Sequence, residues 1–232
     1  RRRQDCRALR PIMRQLILDL VPAQPPTLEN FAAGSNAEAL TGLAGWLAAE
    51  SPDTCLLLWG ESGAGKSHLL AASGAIYANA EDDPTLAGLP EDAAFVAVDN
   101  VEALDADGQI ALFNRFNRLR AAGGRLLTGA RVPPLQLALR EDLRTRLGSG
   151  QIHRLRPLSD DEKRTALAAQ ARERGMSLAP EALDYLLARA PRDMRSLAAI
   201  LAALDRYSLE QKRPLTLPLL RSVLQTHESQ TA

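Results

Sequence analysis

Apolar residues along this chain fall into short unbroken runs separated by stretches of helical spacing. Thr54-Cys55-Leu56-Leu57-Leu58-Trp59 is one such run and reads as a buried strand. Ala94-Phe95-Val96-Ala97-Val98 is a second, ending in Asp99-Asn100. Arg125-Leu126-Leu127-Thr128-Gly129 and the shorter Ile152-His153-Arg154-Leu155 follow. Between them lie helical patterns: Asn36 to Glu50 (Ala37, Leu40, Leu43, Ala44, Leu47), Ser67 to Ala72, and Gln109 to Ala122 (Ile110, Leu112, Phe113, Phe116, Leu119) before Gly123-Gly124. Leu139 to Leu147 is helix-like and carries Arg140, Arg144 and Arg146. Strands alternating with helices predict an α/β fold with a parallel sheet flanked by helices. Residues 76–92, rich in Ala, Asp, Glu, Pro and Gly, read as a turn region where the sheet is reduced.

From Ser159 the pattern changes. Ser159-Asp160-Asp161-Glu162 is a capping box opening a helix to about Arg174, with Gly175 after it. Pro180 starts a second helix to about Ala190, Asp193 to about Gln211 is a third, and Pro218 to about His227 is a fourth. The expected organisation is a flexible leader (1–26), an α/β nucleotide-binding domain (27–157) and a small all-helical lid (158–232).

The leader is read in two ways. Residues 1–14 carry six arginines (Arg1, Arg2, Arg3, Arg7, Arg10, Arg14), either a basic arm for nucleic acid or, the preferred reading, an extension ahead of a start at Met13. Gln15-Leu16-Ile17-Leu18-Asp19-Leu20 precedes a stretch held extended by Pro22, Pro25 and Pro26. A short Gln-plus-leucine peptide on such a leader suits docking into an apolar groove of another protein; by spacing alone, a first strand or a tail over the chain's own core fits equally.

Composition narrows the function classes. Formal net charge is zero, which argues against a protein that coats nucleic acid through overall basicity. Cys6 and Cys55 are far apart and Cys55 lies in an apolar run, as expected in a reducing cytosol. No apolar run approaches the roughly 20 residues that span a bilayer, and no secretion signal follows the leading arginines. The three histidines show no metal-ligand spacing.

The chemistry centres on Gly60-Glu61-Ser62-Gly63-Ala64-Gly65-Lys66-Ser67, which matches G-x-x-x-x-G-K-[ST] and sits between a strand and a helix, as that phosphate-cradling loop requires. Glycines let successive N–H groups curl around an oxyanion at a helix start. Lys66 is expected to reach the β- and γ-phosphates and Ser67 to ligate Mg²⁺. Only Lys66, Lys163 and Lys212 are lysines in an arginine-rich chain, so a compact ammonium stands where the motif wants one. Asp99, an acid at a strand end, is expected to hold Mg²⁺ through water next to Ser67. Asn100 stands where many ATPases place an acid to activate water; an amide cannot take the proton, so weak intrinsic hydrolysis is expected. Glu102 is a badly spaced substitute. Thr128, polar at a strand end, is a candidate sensor of the γ-phosphate. His68 is placed on the loop's helix and His153 on a strand surface.

An α/β core with a four-helix lid resembles AAA+ ATPases. Leu28-Glu29-Asn30-Phe31, Gly60 to His68, Val98-Asp99-Asn100-Val101-Glu102, Leu126 to Pro134 and Asp193-Met194-Arg195-Ser196-Leu197 are similar to the DnaA clade and, within it, to the Hda group of regulatory inactivators. The resemblance spans residues 13–228. It implies ADP or ATP and Mg²⁺ at Gly60 to His68 and Asp99, Thr128 as sensor 1, Arg195 as sensor 2, and Arg146 as an arginine finger acting across a subunit boundary. It also implies that Gln15, Leu16, Leu18 and Leu20 bind the DNA polymerase III sliding clamp. The implied job is negative regulation of replication initiation: docked on the DNA-loaded clamp, the protein promotes hydrolysis of DnaA-bound ATP. Alternatives are a DnaA-like adaptor that recruits partners without stimulating hydrolysis, and a self-sufficient ATPase of the helicase-loader kind. Homo-oligomers are compatible with the resemblance. A cytoplasmic, replisome-associated location without membrane or sequence-specific DNA binding is expected.

Overall fold

A computed structural model describes residues 25–176, 178–189 and 193–211. The leader with Gln15 to Leu20, Cys6, and the expected helix from Pro218 to His227 lie outside the described residues. The chain divides at Leu158/Ser159 into an α/β unit beginning at Pro25 and a helical unit.

The α/β unit is built on five parallel strands: β1 (Cys55–Trp59), β2 (Ile76–Asn79), β3 (Phe95–Asp99), β4 (Arg125–Ala130) and β5 (Gln151–Arg154). Their order is β2-β3-β4-β1-β5. Leu57 lies level with Thr128 on one side and Ile152 on the other. Helices cover both faces, so the central strands are apolar without alternation. On one face α1 (Ala37–Leu47) and α2 (Lys66–Ala72) bring Leu43, Trp46, Leu69 and Leu70 onto Leu56, Leu58, Ala97 and Leu127. On the other, α3 (Ala106–Ala122) and α4 (Glu141–Leu147) bring Leu112, Phe116, Leu143 and Leu147 onto Leu57, Val96, Val98 and Leu126. Emptying such a site, as in Leu57→Ala, costs about 2–5 kcal/mol.

Two boundaries have simple local causes. Asp105 caps α3 by accepting the Gly108 N–H (2.8 Å), starting the helix three residues ahead of the Gln109 expected from spacing. Gly123 ends it in the left-handed conformation (φ 71°).

The expected turn region from residue 76 needs correction. Ile76–Asn79 is a true strand, pairing parallel with Ile76 level with Val96 and Asn79 level with Asp99. It is an edge strand, half exposed and four residues long, which leaves a weak pattern. No helix crosses from β2 back to β3; residues 80–94 form turns, Arg115 of α3 holding them by donating to the carbonyls of Pro90 (2.6 Å), Glu91 (2.9 Å) and Leu89 (3.3 Å).

The second unit contains α5 (Asp160–Glu173), α6 (Pro180–Arg189) and α7 (Met194–Gln211). Ser159 accepts the Glu162 N–H (3.2 Å) and Glu162 accepts the Ser159 N–H (2.7 Å), the reciprocal capping box. Leu167, Ala171, Leu183, Leu186, Leu197, Leu201 and Leu204 form its own core.

Candidate nucleotide-binding site

The phosphate-type loop leaves β1 and enters α2, its shape fixed by glycine. Gly65 has φ +95°, and a Cβ there would lie 2.6 Å from the Phe31 ring. The first N–H groups of α2 have no partner within the helix, and its Gly65 cap adds none. Lys66 is buried, its ammonium donating to the carbonyls of Gly60 (2.6 Å) and Glu61 (3.0 Å). Burial holds the Lys66 pKa below the usual lysine range; the charges of Asp99 and Glu102 oppose that shift. A cradle closed to side chains around a buried ammonium fits a phosphate chain.

Leu28 to Phe31 packs against this loop. Thr27 N–H donates to Asn30 Oδ1 (2.9 Å) and Asn30 N–H to Thr27 Oγ1 (3.1 Å), closing a tight turn. His68 Nε2 donates to Thr27 O (2.9 Å), and the His68 and Phe31 rings lie 5.5 Å apart. Glu61, Ser62 and Gly63 are exposed at the loop's tip, whereas Ala64 is buried.

Asp99, 1% exposed, ends β3 beside the loop. Its Oδ1 accepts the Asn100 N–H (3.0 Å) and its Oδ2 accepts the Tyr77 hydroxyl (3.1 Å). Ser67 lies close enough to act on the Tyr77 phenol, so a side chain from β2 stands beside both residues nominated for Mg²⁺. Burial first, then the Asp99 charge, pushes the Tyr77 pKa upward, and the phenol remains a neutral donor. A hydroxyl and a carboxylate are the hard oxygen donors that Mg²⁺ takes. Asn100 adopts the left-handed conformation (φ 51°) and donates through Nδ2 to Asn79 Oδ1 (2.9 Å).

Sequence spacing missed two residues. Tyr77 belongs to the strand that composition hid. Glu102 looks badly spaced in an extended chain, but the left-handed Asn100 and the 3-10 turn Val101–Ala103 fold it back towards Lys66. One Glu102 oxygen accepts the Arg131 N–H (3.2 Å) and pairs with Arg131 Nε (3.4 Å); the other is buried without a hydrogen-bond partner. Arg131 also pairs with Glu81.

Other nominated residues fall elsewhere. Thr128 is fully buried with its hydroxyl 3.5 Å from Leu56 O. Side chains alternate along a strand, and Gly129, not Thr128, faces Asp99 and α2. Thr128 thus lies on the α3/α4 face, turned from the loop. Arg146, partly exposed in the last turn of α4, rests its guanidinium over the Phe116 ring at 5.8 Å and makes no ion pair among the described residues. Arg140 is committed to Asp142 (2.8 Å). Arg195 is exposed in the first turn of α7, in the helical unit.

The family model of the Hda lid domain matches residues 160–224. Among solved structures, domain III of the replication initiation protein DnaA from Thermotoga maritima superposes with a TM-score of 0.69 at 20% identity, covering 88% of this chain and 98% of that one. AMPPCP-bound DnaA from Aquifex aeolicus gives 0.63 at 22% identity, covering 81% and 69%. A Thermotoga maritima RuvB variant gives 0.62 at 15% identity, covering 88% and 72%. At these identities the structural likenesses establish the fold alone, a parallel sheet with helices on both faces. With that fold and a lid segment matching the Hda lid-domain family, the chain is consistent with an AAA+ protein of the Hda/DnaA clade.

Proposed function

We propose that this protein is a nucleotide-bound regulator of replication initiation that completes the ATPase site of DnaA from outside. The placement of Arg146 carries the reading. Its guanidinium is held over Phe116, partly exposed, with no carboxylate to neutralise it among the described residues. A cation so placed is free to meet charge on a neighbour's transferring phosphoryl group, an effect worth ~10³–10⁵ in rate where such fingers act. ADP or ATP sits in the chain's own loop, Gly60 to Ser67 with Lys66 on the phosphates. Ser67 and, through water, Asp99 would hold Mg²⁺, which would supply positive charge against the phosphates. Asn100 cannot act as a base, so the chain need not turn over its own nucleotide quickly. Arg195 of the lid is the sensor 2 residue. Thr128 takes no part in phosphate sensing in this reading, because strand alternation turns it from the loop and its hydroxyl points to Leu56 O. Gln15, Leu16, Leu18 and Leu20 dock the protein on the DNA-loaded sliding clamp, with DnaA as the second partner, in a cytoplasmic, replisome-associated setting.

The AMPPCP in a DnaA structure of the same fold supports nucleotide binding here, and the lid match supports the link to DnaA. The test is DnaA ATP turnover in the presence of clamp, DNA and this protein. Arg146→Ala is expected to lose stimulation by ~10³ or more, while Arg144→Ala on the same helix retains most of it. Full stimulation by the Arg146→Ala protein would end the reading.

A further inference from the structure

We infer that Tyr77 is a gate on the metal position of the nucleotide site: its hydroxyl holds the Asp99 carboxylate beside Ser67 and must leave before Mg²⁺ can be coordinated there. The inference rests on the nucleotide reading above and adds a residue to it. The Tyr77 hydroxyl donates to Asp99 Oδ2 at 3.1 Å, with Ser67 near enough to influence the phenol. That phenol oxygen therefore stands on the carboxylate oxygen that a hydrated metal has to reach. Mg²⁺ demands near-ideal octahedral geometry at 2.0–2.1 Å and keeps several waters. Those waters need the space the phenol fills.

The rest of the geometry fits a side chain that moves. Asp99 is fixed: it is 1% exposed and its second oxygen holds the Asn100 N–H. Lys66 is fixed by two loop carbonyls. Tyr77 sits instead on the sheet's edge strand and is 41% exposed, with solvent open to its ring. The movable partner of the trio is the phenol. With the gate closed, Lys66 and the loop backbone hold phosphate without a metal. With it open, Ser67 and Asp99 become available.

The test is equilibrium binding of a fluorescent ADP to the full chain, in EDTA and over a Mg²⁺ titration, for wild type and Tyr77→Phe. Phenylalanine keeps the ring and removes only the phenol oxygen. Losing a charge-assisted hydrogen bond that opposes the metal is expected to lower the half-effective Mg²⁺ concentration about tenfold. Wild type is also expected to show a Mg²⁺-dependent difference in tyrosine absorbance that Tyr77→Phe lacks. An unchanged or raised half-effective Mg²⁺ concentration in the variant would overturn the gate while leaving nucleotide binding intact. A folded wild type that binds no ADP in EDTA or in Mg²⁺ would remove the nucleotide reading and the gate together.

Discussion

Gly129 of β4 faces Asp99 of β3 so closely that a Cβ on residue 129 would stand 2.4 Å from Asp99 Oδ1. The same Cβ would lie 3.3 Å from Leu70 Cδ2, in the packed face of α2. The contact with Asp99 is the severe one and the contact with Leu70 only tight, so the carboxylate, otherwise held in place, is the partner forced to shift. Turning it breaks the bond from the Asn100 N–H to Oδ1, which orients the carboxylate for the metal. Gly129→Ala is therefore expected to weaken Mg²⁺-dependent nucleotide binding about tenfold, close to the 1.4 kcal/mol that a tenfold change represents. Equilibrium titration with and without Mg²⁺ reads this. A variant with wild-type metal dependence would show that the Asp99 orientation does not matter to the site.

The loop from Gly60 to Ser67 and the strands before it and at Asp99 were legible because their apolar runs are buried on both faces and leave no alternation to misread. Tyr77 was not. Its strand is short, half exposed and followed by turn composition, and the Ile76-Tyr77 pair after Gly74 is its only strand-like signal. The face that Thr128 takes is hidden for a different reason. Sequence shows that a polar residue nears a strand end but not which face it takes, and the registers set Thr128 opposite Leu57 and Val98, one residue out of phase with Asp99. Glu102 was undervalued because spacing counts residues along an extended chain, whereas Asn100 turns left-handed and shortens the path.

Arg115 replaces a helix with one side chain. Its guanidinium is buried and donates to the carbonyls of Leu89, Pro90 and Glu91, tying residues 80–94 to α3 where other parts of the sheet have a covering helix. Arg115→Met keeps much of the aliphatic packing and strands those carbonyls. Of the three carbonyls that of Leu89 is buried, and a buried acceptor without a donor costs about 1–3 kcal/mol, so a loss of about that size is expected in urea unfolding. Faster proteolysis within residues 80–94 is expected to accompany it. Unchanged stability would mean that water satisfies those carbonyls unaided.

Cys55 is buried at the start of β1, and burial above all pushes its thiol up to about 12. The thiolate is the reactive form, so Cys55 should resist alkylation in the folded protein at neutral pH. A Cys6→Ser protein, which leaves Cys55 as its single thiol, tests this. It is expected to react with a maleimide only after denaturant is added; prompt labelling under native conditions would contradict the packing of β1 against α4.

His153 of β5 gives the fold a pH dependence whose sign can be worked out. Its ring packs over Gly42 of α1, where a Cβ would meet it at 2.4 Å. Burial holds its pKa below 6.5, and Glu38 only partly opposes that shift. Gln151 Oε1, 3.3 Å from Nε2, is the polar partner on its own strand. Between the lowered folded value and the unfolded value near 6.5, the unfolded chain binds more protons than the folded one. Stability contributed by the neutral ring is therefore intact above about pH 6.5 and is lost as pH falls towards the folded value. His153→Gln removes the titrating group while leaving a polar side chain at the position. Comparing urea midpoints at about pH 7.5 and about pH 5.5, the wild type is expected to lose more than the variant on acidification. Equal losses would place the acid sensitivity in the carboxylates and leave the α1/β5 contact indifferent to protons.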